Sequence, residues 1–225
     1  MCGRYTLTDP DPRLLRFRFG LSEQAKIDQA PRYNVAPTDP VLAVRLNGEG
    51  ERESGVLRWG LVPHFADPDS FDRLLINARG ETVAEAPSFR DAFPTHRCLI
   101  VADGFYEWRA EDTGKKPVWI TRPSREPFAF AGVWAEARRV GGSSVHSCAI
   151  VTCGPSEVVA PIHDRMPVIL DQANEADWLD PGTGEEQLQA LLAPTDDLLV
   201  TEVSDAVNDV RQDGPALIEP PLRLF

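Results

Sequence analysis

Stretches rich in Val, Ile, Leu and aromatic residues recur along the chain, separated by polar, turn-forming segments, and they read as strands. They are VLAVRL (41–46), GVLRWGLV (55–62), RCLIVADGFYEW (97–108), PVWITR (117–122), FAFAGVWAEA (128–137), HSCAIVTC (146–153), MPVIL (166–170) and LLVTEV (198–203). LNGEGERESG, AEDTGKK and RVGGSS have the composition of hairpin connections. Short helical patterns are predicted at PRLLRFRF, PSFRDAF, SEVVAPI, NEADWL and EEQLQALL, several behind Asp-Pro or Ser-Glu openings. Strands dominate and do not alternate regularly with helices, which disfavours a doubly wound parallel sheet. There is no internal repeat, and the 20 prolines are spread over the whole chain without marking a linker. The expected architecture is one mixed, mainly β domain over 1–225.

At 225 residues, with 42% hydrophobic and 26% charged residues, the chain has the composition of a globular protein with a sizeable core. No apolar run approaches the roughly 18 residues of a membrane span, and the first residues lack a secretory pattern. A cytoplasmic protein, nucleoid-associated in a prokaryote, is the expectation. The net charge of −12 repels nucleic acid at long range, so any DNA contact must rest on a local arginine patch. Only Lys26, Lys115 and Lys116 are lysines, and such an acidic, lysine-poor surface would suit a high-salt cytoplasm. Cys2, Cys98, Cys148 and Cys153 form no CxxC or Cys/His cluster, so no metal site is expected. The last three lie in strand-like apolar runs, where cysteine packs as a small hydrophobe.

Cys2 in MCGRYTL is different, because removal of Met1 would leave an α-amine beside a thiol. Both groups are partly nucleophilic near neutrality, and together they convert an aldehyde into a five-membered thiazolidine. The bland alternative is an incidental residue at a frayed terminus. In ADGFYEW, Glu107 sits between Tyr106 and Trp108; desolvated there it would suit acid–base work, exposed it would be an ordinary strand-end glutamate. Strand alternation puts Phe105 and Glu107 on one face, Tyr106 and Trp108 on the other. In IHDRMPVIL, His163 can shuttle a proton and Arg165 suits a phosphate oxygen, although a lone histidine is more often structural. Asn34 in YNVAPT and Asn77 in INARGET can orient an amine or hydroxyl, and Arg79 with Arg4 and Arg165 could form a phosphate patch; the alternative is turn formation.

In this order MCGRYTL, RYNVAPT, LRWGLVP, INARGETV, PSFRDAF, RCLIVADGFYEW, KKPVWI, AGVW, IVTC, IHDRMPVIL and VSDAVNDVRQDGPALI resemble the SOS-response-associated peptidase (SRAP) family of abasic-site processing proteins. The matching segments span residues 1–218. The resemblance implies an α+β fold: a single mainly-β domain whose bifurcated sheet forms a pseudo-barrel, with short peripheral helices. It also implies a monomer, free of cofactor, that recognises abasic sites in single-stranded DNA and links to them covalently. By the same resemblance Cys2 is the nucleophile, Asn77 positions the sugar and the terminal amine, Glu107 is the acid/base and His163 the catalytic histidine. Arg4, Arg79 and Arg165 would face the DNA backbone, with Asn34, Pro37 and Thr152 as pocket contacts. Where the family usually has tryptophan after WGLVP, this chain has Phe65, a smaller stacking face. Three rivals stay open: an N-terminal-nucleophile amidotransferase, a peptidase using Cys2, Glu107 and His163, and a module that merely binds single strands. Peptidase-type hydrolysis, removal of Met1 by self-cleavage and abasic-site lyase activity are compatible side reactions.

Overall fold

The computed structural model describes residues 2–112 and 114–221. The chain enters through a short strand, β1 (Tyr5–Leu7), and then a helix, α1 (Pro12–Phe19). Both ends of α1 are written locally. The Asp11 side chain accepts from the N–H groups of Arg13 and Leu14, Pro12 fills the first turn, and Gly20 closes the helix at φ 61°. Four strands follow: β2 (Arg32–Val35), β3 (Pro40–Leu46), β4 (Arg52–Trp59) and β5 (Asn77–Arg79). The middle of the chain supplies β6 (Arg97–Ala102), β7 (Gly104–Glu111), β8 (Gly114–Thr121), β9 (Phe128–Arg138) and β10 (Ser144–Cys153). Two-residue strands β11 (Met166–Pro167) and β12 (Ile169–Leu170) precede helices α2 (Glu175–Leu179) and α3 (Glu185–Ala190) and the strand β13 (Leu199–Glu202).

β10, β4, β3, β6 and β9 pair in succession and β9 returns to β10, which closes a five-stranded barrel. Closure leaves these strands no edge along the ring to pair with another chain. β10 outruns β4: Cys148 pairs with Trp59, and beyond it Ile150 pairs with Asn77 of β5. Gly132 on β9 is a packing requirement, since a Cβ there would lie 2.8 Å from Cys98 Sγ and 2.9 Å from Ile100 Cδ1. The second sheet runs β13-β8-β7-β1-β2. The two sheets share one core; the Tyr5 ring meets Trp59 at 5.3 Å and Phe130 at 5.7 Å between centroids. A smaller cluster of Tyr106, Trp119, Val203, Val207 and Leu217 also packs Trp108.

The mainly-β architecture and the three hairpin connections match the sequence expectation, the AEDTGKK turn as far as it lies within the described residues. Cys98, Cys148 and Cys153 are buried, as their apolar runs suggest. Three expectations are corrected. RCLIVADGFYEW is two strands in two sheets, because Asp103 leaves the ladder and its carboxylate accepts from Thr6 Oγ1 at 2.6 Å and Thr8 Oγ1 at 2.6 Å. MPVIL also divides, at Val168, but both halves stay in the barrel sheet, β11 on β10 and β12 on β9. PSFRDAF and SEVVAPI form tight turns rather than helices; Pro94 and Pro161 fall where a helix would have to continue.

Candidate active site

β1 is the hinge of the site. It runs between β2 and β7, with Tyr5 opposite Phe105 and Thr6 opposite Gly104. The N–H of Tyr106 donates to Arg4 O at 2.9 Å, so the antiparallel register continues past the strand and sets Gly3 across from Glu107. Cys2 is therefore packed inside the protein with 0% exposure, which removes the frayed-terminus alternative. Its thiol donates to Arg4 O at 3.8 Å. Burial holds the Cys2 thiol well above its ordinary pKa, and the Glu107 charge pushes it in the same direction. The resting sulfur is a thiol, not a thiolate.

Asn77 approaches from the barrel. β5 is held against β10, and Trp59 Nε1 donates to Ile76 O at 2.9 Å, just before Asn77. The Asn77 carboxamide then donates to Cys2 O at 2.9 Å. Its Oδ1 is buried without a hydrogen-bond partner among the described residues, so an acceptor remains in the site for an incoming donor. Glu107 is 2% exposed and not a solvent-facing strand end. Phe105 packs into the main core, Tyr106 and Trp108 into the small cluster, so the alternation of faces is the expected one. Burial raises the Glu107 pKa, while the charge of His163 acts in the opposite sense. Glu107 is thus in electrostatic contact with both Cys2 and His163.

His163 ends the turn after β10, where its N–H donates to Val159 O at 3.0 Å. The Arg165 N–H donates to His163 Nδ1 at 3.0 Å, which puts the proton of the neutral ring on Nε2. The exposed Asp164 carboxylate lies 2.9 Å from the same Nδ1 and pairs with the doubly protonated ring. Arg165 reaches Glu81 through two bonds of 2.6 and 2.8 Å and Thr152 O at 2.7 Å. Arg79, opposite Thr152 at the end of β5, is exposed. Arg4 donates to Asn34 Oδ1 and Val207 O, both at 2.9 Å. Pro37 joins Gly3, Arg4, Thr38, Trp108 and Val210 around an open groove of about 510 Å³ beside Cys2. Thr38 holds a left-handed φ of 79° there, with its N–H bonded to Trp59 O at 2.7 Å; a β-branched residue in that region marks local strain. Phe65 is 63% exposed.

Asn34 and Thr152, expected as DNA contacts, present almost no surface, at 1% and 0%. Asn34 instead clamps the C-terminal segment, its amide donating to the carbonyls of Val207, Asp209 and Gln212 at 3.3, 3.1 and 2.9 Å. Thr152 holds Arg165. Both support residues that carry surface. Glu81 was not singled out from the sequence, although the Arg-x-Glu spacing of INARGET placed a carboxylate near the arginines.

Residues 1–210 match the model of the family described as SOS response associated peptidase (SRAP). The chain belongs to the SRAP family. It is 41% identical over 230 residues to the abasic site processing protein YoqW of Bacillus subtilis, covering 97% of this chain and 99% of that one. It is 29% identical to the abasic site processing protein HMCES of Gallus gallus, covering 98% of this chain and 78% of that one. A crystal structure of a Bacteroides thetaiotaomicron protein superimposes with a TM-score of 0.87 at 23% identity, over 98% and 100% of the two chains. A phage-related protein from Bordetella bronchiseptica superimposes with a TM-score of 0.70 at 30% identity, over 90% and 94%. These likenesses place this SRAP chain in the same mainly-β fold. No helix among its described residues is long and apolar enough to cross a membrane.

Proposed function

We propose that this chain processes abasic sites in single-stranded DNA by linking itself covalently to them through Cys2. One observation carries the reading: Asn77 is bonded to the Cys2 carbonyl while buried Glu107 acts electrostatically on the Cys2 thiol. The amine comes from removal of Met1, which lies outside the described residues. It attacks the C1′ aldehyde of the ring-opened sugar, giving a carbinolamine. Protonation of the hydroxyl by Glu107 or His163 expels water and leaves an imine. The Cys2 sulfur then adds to the imine carbon, its proton passing to the imine nitrogen, and a thiazolidine closes. The second step is intramolecular, so a thiol at low thiolate fraction suffices. The closed ring lacks the iminium that drives β-elimination, so the strand stays whole. Proton delivery by Glu107 runs the closure backwards and releases the protein.

Family membership and relatives that are named abasic site processing proteins support the reading. A cysteine-hydrolase mechanism is less well served. It needs an activated thiolate, whereas the Cys2 thiol has its pKa raised and donates to a backbone carbonyl. A single copy carries Cys2, Asn77, Glu107 and His163, so a monomer is sufficient. The direct experiment is an intact mass before and after incubation with an abasic single strand. The expected gain is the mass of the strand less one water, on a chain lacking Met1. No mass gain, or a cleaved strand with no protein attached to it, would count against the proposal.

A further inference from the structure

Three of the four histidines, His64, His96 and His146, gather around Trp134 at one mouth of the barrel. The His96 and His146 ring centroids lie 4.7 and 6.1 Å from that of Trp134, and the Arg45 guanidinium sits 4.4 Å over the indole. His64, His96, Asp91, Glu136 and Arg138 line a groove of about 750 Å³ against Trp134. Ligand sites favour barrel mouths of this size. On β10, His146 precedes Ile150, the partner of Asn77, by four residues, about 13 Å at ~3.3 Å per residue. The mouth is thus separate from the Cys2 site, and no group of three His, Cys, Asp or Glu side chains among the described residues is placed to hold a metal ion.

Charge at the mouth depends on the imidazoles. Arg97 is 3% exposed and donates to the carbonyls of Phe93, Pro94, Trp178 and Asp180, acceptors that carry no charge. It borders a second groove of about 770 Å³ that shares Trp134. Arg45, Arg90, Arg97 and Arg138 outnumber three carboxylates by one, with Arg90 Nε 3.6 Å from Asp91 Oδ1. Glu53 pairs with Arg45 at 2.8 Å, Asp91 lies 4.0 Å from His64 and Glu136 lies 3.9 Å from His146. With neutral rings the mouth carries one net positive charge, and each protonated ring adds to it, on a chain of charge −12. Burial, with the charges of His64 and Arg45, lowers the His96 pKa, and a bound anion would oppose that shift. Exposed Phe65 stands beside His64 with ring centroids 5.4 Å apart, so a strand stacked on Phe65 is led past His64 into the groove.

We propose that this mouth binds a phosphate of the DNA strand beyond Phe65 through protonated imidazoles, strengthening strand binding at mildly acidic pH. The proposal rests on the single-strand reading of the Cys2 site. Its test is fluorescence anisotropy of the full chain with strands carrying a non-aldehydic abasic analogue. One strand ends at the analogue; the others extend several nucleotides to either side. Between about pH 7.5 and about pH 5.5 the strand extended past Phe65 should gain about fivefold more affinity than the truncated one. A variant combining His64→Gln, His96→Gln and His146→Gln should lose that extra gain. It should still form the stable adduct with an aldehydic strand, which also reports that it is folded. His96→Gln alone, whose amide can keep a bond to Thr95, should lose part of it. Equal gains for all strands, or an undiminished gain in both variants, would overturn the proposal. So would inorganic phosphate shifting the imidazole resonances with no effect of strand extension, because the ligand would then be free phosphate. Failure of the Cys2 reading is seen separately, as no adduct from the unaltered protein.

Discussion

The carboxamide of Asn77 donates to the carbonyl oxygen of Cys2 across 2.9 Å, and this bond joins the barrel to the start of the chain. β5 is only three residues long, yet it is pinned by β10 on one side and by the Trp59 indole at Ile76. Cys2 is thereby held by a strand that cannot shift without breaking the barrel ladder.

Asn77→Ala removes that tether and should slow adduct formation about five- to tenfold, the rate equivalent of one hydrogen bond of ~1 kcal/mol. Asn77→Asp should be slower still, because an ionised carboxylate opposes the Cys2 carbonyl as acceptor against acceptor. Single-turnover adduct formation on gels, with unfolding curves to show unchanged stability, measures both.

Cys2→Ala keeps the amine and loses the sulfur. It should give no adduct that survives denaturing detergent, while borohydride should still trap an imine with the abasic strand. A detergent-stable link from Cys2→Ala at the unaltered rate would exclude the thiazolidine.

Glu107→Gln keeps size and one hydrogen bond but cannot exchange a proton. It should form the adduct more slowly and, in a chase with unlabelled abasic strand, release it ~10²–10⁴-fold more slowly. Release by the unaltered protein should fall as pH rises through the raised Glu107 pKa, because the acid form is the one that opens the ring. The glutamine variant should have lost that limb of the profile.

Stability should fall with rising pH as well. Between the ordinary carboxylate range and the raised folded value, the native state binds more protons than the unfolded chain, so stability declines as pH rises across that window. Glu107→Gln lacks the decline and should melt above the unaltered protein at neutral pH, with the two converging as the pH drops below about 4, the ordinary carboxylate range. Calorimetry across pH reads the difference.

Arg165 is paired with Glu81 before any DNA arrives. Glu81→Gln should free it, raise affinity for undamaged single strands and steepen the salt dependence by about 0.7 in log–log slope, as for one added phosphate contact. An unchanged slope would mean that Arg165 stays bound to Thr152 and does not reach the strand.

Local chemistry wrote much of this protein. The apolar runs predict β3, β8, β9, β10 and β13 because strand propensity is a property of neighbouring residues. The Asp11-Pro12 and Gly20 signals likewise bound α1. The resemblance of short motifs singles out Cys2, Asn77, Glu107 and His163, the residues that the proposed function uses. Tertiary structure decided what distance in sequence conceals. Asp103 draws its hydroxyl donors from Thr6 and Thr8, which is why one apolar run became two strands. Glu107 is buried only because β1 and β8 flank it, and the pKa that suits it to acid–base work follows from that burial. Asn34 and Thr152 have the same side chains on the surface or inside; only the C-terminal segment and Arg165, docked onto them from elsewhere, turned them into supports. Barrel closure, β9 returning to β10, is a long-range pairing, and no local pattern carries it.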